Sequence, residues 1–179
     1  VLDLAQQQLT SETLLVLLKH PLAHSGADRG QHLRNTRELE LYLRRDGPAF
    51  LTAQTLLQWA ETKDHYRPWV DWINAKVFDR WPQGPQPLEN WIAHHRTLAE
   101  GLSAGLVGDS GQLWEQAPGR DTKTEIENLT KYAPAAGDVD LTDYSAILRG
   151  ILNAGQTRNQ NHVHSNILIW GTLEARVQS

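Results

Sequence analysis

A mainly α-helical domain of about seven helices, bundle-like, with one short C-terminal β-strand is what this sequence predicts. Three observations lead there. Apolar residues recur at helical spacing through most of the chain. Pro/Gly-rich or polar breaks interrupt that pattern at Pro82–Pro87, Gly105–Gly111, Pro134–Gly137 and Gly155–Asn161. Capping or stop residues stand where the periodic segments begin and end.

The first helix carries Leu14, Leu15, Leu17 and Leu18 behind Thr10 and Ser11, either of which can cap, and Pro21 stops it. Asp28 can cap a second helix running to about Asp46, where Gly47-Pro48 ends it. A third, from Thr52 to about Lys63, holds Leu56, Leu57 and Trp59. From Pro68, a favourable first-turn residue, Trp69, Ile73, Val77 and Trp81 step by four. Leu88, Trp91, Ile92, His95, Leu98, Ala99 and Leu102 make a continuous apolar stripe for a fifth helix. Ile126, Leu129 and Ala133 mark a sixth. Asp140 is a natural cap for the seventh, which carries Leu141, Tyr144, Ile147, Leu148, Ile151 and Leu152 and is ended by Gly155. The leucine clusters and the tryptophan stripe read as core rather than a cofactor box.

The one convincing strand is Ile167–Trp170, a short apolar run between a polar loop and Gly171-Thr172. A buried strand needs paired neighbours on both sides, and no other segment supplies them. With no Met in the sequence and Val1 at its start, the chain is expected to be an internal piece of something larger. Its expected division is a helical unit over 1–162 and the start of a second unit over 163–179.

Composition narrows the function classes. No apolar run reaches the ~18 residues a membrane-spanning helix needs, and no signal-peptide pattern is present. The absence of cysteine excludes disulfides, Cys-ligated zinc and iron–sulfur ligation in this segment, and leans towards a reducing, cytoplasmic setting. At 179 residues the chain is long enough for one self-sufficient core. The 17 basic and 21 acidic residues give a net charge of −4, which argues against a protein that coats nucleic acid along its whole surface. A local basic face remains open.

Two segments carry a family resemblance. Lys19-His20-Pro21-Leu22-Ala23-His24-Ser25-Gly26-Ala27-Asp28-Arg29-Gly30-Gln31-His32-Leu33-Arg34 continues into Thr36-Arg37-Glu38-Leu39-Glu40-Leu41-Tyr42-Leu43-Arg44-Arg45-Asp46-Gly47-Pro48, and the chain closes on Ile169-Trp170-Gly171-Thr172-Leu173-Glu174-Ala175-Arg176-Val177-Gln178. Both resemble the AddB subunits of bacterial AddAB helicase–nucleases, in the form found in alphaproteobacteria. The resemblance runs end to end, with its specificity in the two terminal motifs; Leu113-Trp114-Glu115 and Asp143-Tyr144 are compatible with it. It implies an internal segment matching the helical subdomain inserted into the second core domain of a superfamily-one helicase scaffold. The parent complex, similar in role to RecBCD, unwinds and resects duplex ends in recombinational repair. DNA and an AddA-like helicase–nuclease subunit are the implied partners. Neither a phosphate-binding Gly-x-x-x-x-Gly-Lys-Ser/Thr loop nor a nuclease motif occurs in the sequence, so no catalytic activity and no cofactor are expected of this segment.

Candidate DNA-contacting residues fall in two places. Thr172 and Arg176 follow the terminal strand, where active relatives place a helicase motif. A hydroxyl, backbone N–H groups and a guanidinium suit a phosphate, whereas Glu174 would repel one, and a plain strand-to-helix turn is the simpler reading. On the second helix, at roughly 100° per residue, Arg34, Arg37, Arg44 and Arg45 share about one quarter of the circumference. Thr36, Leu39 and Leu43 lie opposite. Such a row can follow a phosphate backbone. The spacings Glu40/Arg44 and Arg34/Glu38 also describe an ordinary solvated helix face, and Asp28 with Arg29 can form a local cap and ion pair.

Other chemistry finds less support. His94 and His95 are adjacent on a helix and point apart, whereas His162 and His164 can share one face of an extended segment. His95 lies on the apolar stripe and reads as a hydrogen-bonded core residue. No nucleophile-elbow sequence is present. Trp59, Trp69, Trp72 and Trp114 could stack bases if exposed, with Arg67 beside Trp69.

Overall fold

The computed structural model describes residues 2, 9–48, 50–78, 81–106, 108 and 111–154. The expected strand at Ile167–Trp170 and the boundary between 162 and 163 lie outside these residues. Within them the protein is mainly helical, as the periodicity predicts.

Each helix forms where local chemistry favours it. In α1 (Ser11–Lys19) the Thr10 hydroxyl accepts from the Thr13 amide at 3.1 Å. α2 (Arg29–Asp46) is the longest among the described residues, at 18 residues. α3 (Ala53–Ala60) is capped by Thr52, whose hydroxyl accepts from the Thr55 amide at 3.1 Å. It ends three residues before the expected Lys63, because both the amide and the hydroxyl of Thr62 donate to the Trp59 carbonyl. A 3₁₀ turn at Asp64–Tyr66 then leads into α4 (Arg67–Val77), with Pro68 in its first turn. Trp81, expected on α4, lies beyond its end: a residue before proline disfavours the helical region, and Pro82 follows. The ring still reaches the core, stacked against Trp91 at 6.2 Å.

The second half contains α5 (Leu88–Ala104), α6 (Ala117–Tyr132) and α7 (Leu141–Ala154). α6 starts nine residues before Ile126, with a proline in its first turn, and none of its residues is fully buried. Asp140 caps α7 as expected, its carboxylate accepting from the Asp143 amide at 2.8 Å. A ladder absent from the sequence reading pairs β1 (Gln86–Pro87) antiparallel with β2 (Asp138–Val139), Gln86 opposite Val139. Two-residue strands are too short to show a period of two. This ladder clips the start of α5 to the start of α7.

α1 packs on α2, and α3 on α4; α5 packs on α4, α6 and α7. The core runs through all of them as one cluster, with Leu14, Leu18, Leu39, Leu56, Trp69, Val70, Ile73 and Trp91 almost wholly buried. Rings form much of it: Tyr66 stacks on Trp59 at 4.3 Å and Tyr144 on Trp91 at 6.0 Å. Buried indoles find acceptors, Trp72 at the Gly101 carbonyl (3.2 Å) and Trp91 at the Val139 carbonyl (2.8 Å).

Polar groups join the two halves. The loop after α1 lies along the end of α5, with His24 and Ser25 amides donating to the Leu102 and Ser103 carbonyls at 2.8 Å each. The Ser25 and Ser103 hydroxyls meet at 2.9 Å. His32 of α2 accepts the Trp69 indole N–H at Nδ1 (3.0 Å), so its proton sits on Nε2 and is donated to the Leu18 carbonyl at 2.7 Å. The His24 ring stacks on His32 at 4.8 Å and meets Trp72 edge-on at 5.2 Å. His95 behaves as its place on the apolar stripe predicts, its Nδ1 bonded to the Tyr144 hydroxyl at 2.8 Å.

Burial pushes His32 and His95 each down to about 4 and lowers His24 as well. These groups stay neutral in the folded chain while the unfolded chain takes up protons near the ordinary histidine value of about 6.5. Their contribution to stability is therefore level above that value, falls as pH drops towards about 4, and levels off below. Urea unfolding across that window should show His32 alone contributing a loss of roughly 3 kcal/mol. In His32→Gln the slope over the same window should flatten, on top of a lower stability at neutral pH. Gly105 supplies a second test. Its φ of 81° and ψ of −146° suit glycine alone, and an added Cβ would stand 2.6 Å from the buried His24 ring. Gly105→Ala should cost about 2–4 kcal/mol in urea denaturation.

Candidate nucleic-acid interface

α2 presents the arginine row. Its buried face consists of His32, Asn35, Thr36, Leu39 and Leu43, so the opposite arc faces outward, and Arg34, Arg37, Arg44 and Arg45 are all exposed. The helix begins differently from expectation. Asp28 is in the left-handed region (φ 62°), and its side chain makes no cap bond. The backbone does the work, the Asp28 carbonyl accepting from the Gln31 and His32 amides at 2.9 and 3.1 Å. Nor does Arg29 pair with Asp28: its guanidinium turns back to the Ala23 and His20 carbonyls and ties the incoming loop to the helix.

The row divides electrostatically. At its C-terminal end Arg44 bonds Glu40 through Nε and Nη2, the closer contact at 2.7 Å, in the predicted i, i+4 pair. Glu40 also takes Lys19 of α1 at 2.7 Å. Hydrogen bonds from Lys19 and then Arg44 hold its carboxyl below the usual range. Arg45 bonds Asp46 at 2.6 Å. Exposed pairs of this kind add little stability, but they spend the local positive field. At the N-terminal end Arg34 donates to the Gln31 side-chain oxygen (2.8 Å from Nη2), not to Glu38 as the spacing suggests. Gln31 in turn donates to the buried Asn35 at 2.7 Å. Arg37 has no hydrogen-bond or ion-pair partner among the described residues.

Arg34 and Arg37 border a cleft of about 260 Å³ that Lys63, His65 and Tyr66 also line, together with Gln31, Asn35 and Glu38. Lys63 and His65 were not among the residues the sequence singled out. They belong to the turn before α4, some thirty positions from Arg34, and no local pattern signals the meeting.

Other candidates resolve on burial and pairing. Trp59, Trp69 and Trp72 are buried core residues and offer no stacking surface. Trp114 is half-buried and donates to Glu100 at 3.0 Å. Arg67 pairs with Asp71 at 2.9 Å. Thr172, Arg176, His162 and His164 lie outside the described residues. Among the described residues no group of three potential ligands is placed to hold a metal ion, and no helix is long and apolar enough to cross a membrane. The space beside His95, Trp114 and Tyr144 is about 40 Å³, room for a water molecule rather than a substrate.

Searches of protein-family models, curated proteins and solved structures return no match to this chain.

Proposed function

We propose that this chain is a non-catalytic helical domain of a DNA double-strand-break repair subunit of the AddB kind. It guides DNA, or braces an AddA-like partner, while a helicase–nuclease resects a broken end in the bacterial cytoplasm. The observation that carries the DNA half of this reading is the unspent positive end of α2, where Arg34 is bonded to a neutral glutamine and Arg37 has no partner among the described residues. The resemblance of the segments Lys19–Pro48 and Ile169–Gln178 supplies the biological setting.

A helical adaptor that meets only protein is the second reading, and two observations favour it. Arg44 and Arg45 are matched by carboxylates. Val16 and Leu41 are 65% and 53% exposed, on the paired helices α1 and α2, and offer apolar area to a protein partner.

Fluorescence anisotropy of the purified chain with single-stranded, duplex and forked DNA, titrated over salt, separates the two readings. DNA guidance predicts binding that weakens steeply with salt. It also predicts that Arg34→Ala/Arg37→Ala weakens binding more than Arg44→Ala/Arg45→Ala does. Folded protein that binds none of the three at low salt would leave the adaptor reading standing.

A further inference from the structure

We infer that the cleft between α2 and the turn before α4 seats one phosphate group of a nucleic-acid strand, held chiefly by Arg37 and Lys63. This rests on the DNA-guiding reading and narrows it from a row of arginines along one helix to a built site shared by two elements.

Charge is the first support. Arg34, Arg37 and Lys63 line the cleft against a single carboxylate, Glu38. The other end of the same helix face has Lys19, Arg44 and Arg45 already engaged by Glu40 and Asp46. A polyanion therefore meets cations without carboxylate partners at the first end and, at the second, three cations already ion-paired to two carboxylates.

Preorganisation is the second. Arg34 directs Nε and Nη2 at one acceptor, Gln31 Oε1, and Gln31 is anchored to Asn35, which is 3% exposed. Lys63 is steered by Tyr66, its ammonium 3.4 Å from the hydroxyl and 5.5 Å from the ring centroid. Tyr66 is itself 3% exposed and stacked on Trp59. Arg34 and Lys63 are thus mounted on the core, which lowers the ordering cost of binding an anion, and Arg37 brings a guanidinium with no partner among the described residues. His65, exposed beside Tyr66 at 4.2 Å between ring centroids, adds a ring nitrogen to the rim.

Size is the third. At about 260 Å³ the cleft lies below the usual range for a whole small-molecule ligand but readily admits one phosphate. That suits a group projecting from a longer strand. Guanidinium and ammonium donors supply charge-assisted bonds to its oxygens.

The test uses the full 179-residue chain, two probes and exposed-residue variants. Pyrophosphate, followed by nitrogen-edited NMR, reports the cleft without any nucleic acid. Labelled oligothymidylate, followed by anisotropy over salt, reports the strand. Arg37→Ala and Lys63→Ala should each weaken oligothymidylate binding roughly fivefold and lower the salt slope by about one. Arg44→Ala and Arg45→Ala should change both less, and pyrophosphate should shift cleft resonances and compete with the strand. Oligothymidylate binding indifferent to Arg37→Ala and Lys63→Ala would overturn the site while leaving DNA guidance intact. Cleft shifts with pyrophosphate but no strand binding would uphold an anion site and overturn both the nucleic-acid assignment and the reading beneath it. Silence with both probes overturns the site outright.

Discussion

His32 is the joint on which the first half of the molecule depends. One imidazole on α2 accepts from Trp69 on α4 and donates to the last turn of α1. Three helices are set by two hydrogen bonds of fixed direction, inside a region where an unmade bond would be costly. His24 lies on its face, and through the backbone of His24 and Ser25 the same cluster is fastened to the end of α5. Neutral imidazole is the form that satisfies this geometry, since a proton on His32 Nδ1 would displace the Trp69 bond. The fold therefore depends on a group whose charge state burial controls.

That joint also determines what α2 shows to solvent. With His32, Asn35, Thr36, Leu39 and Leu43 turned inward, the arc carrying the arginines has no choice but to face outward. Whether an outward arginine is electrostatically available is then decided by its neighbours. Glu40 is shared between Lys19 and Arg44 and bridges α1 to α2, so the positive charge at that end of the row is already engaged. The other end meets the turn before α4, which Tyr66 and the stacked Trp59 hold in place. A helix with four arginines on one face therefore has two distinct ends.

The tryptophans show the same division between residue type and placement. Their spacing suits either a core stripe or an exposed stacking platform, because both require aromatic rings at helical intervals. Packing settled it for Trp59, Trp69 and Trp72, which interlock with Tyr66, His24 and His32 and leave nothing for a base to stack on. Trp81 shows how a pattern outlasts its element: it keeps the four-residue rhythm and a core position after the helix has ended before Pro82.

Local signals alone determined the seven helices within the described residues, because 3.6-residue periodicity, Thr and Asp hydroxyl or carboxylate caps and proline stops act over a few neighbouring positions. The caps at Thr10, Thr52 and Asp140 and the Glu40–Arg44 pair are all contained within one helical turn. The failures follow from the same logic. Asp28 does not cap, because the incoming loop is held by Arg29 and by α5, and those constraints place it in the left-handed region. The β1–β2 ladder, the His32–Trp69 bond and the convergence of Lys63 with Arg37 join residues far apart in sequence. Only chain folding decides such pairings, since their energies depend on burial and on directions in space that no spacing encodes.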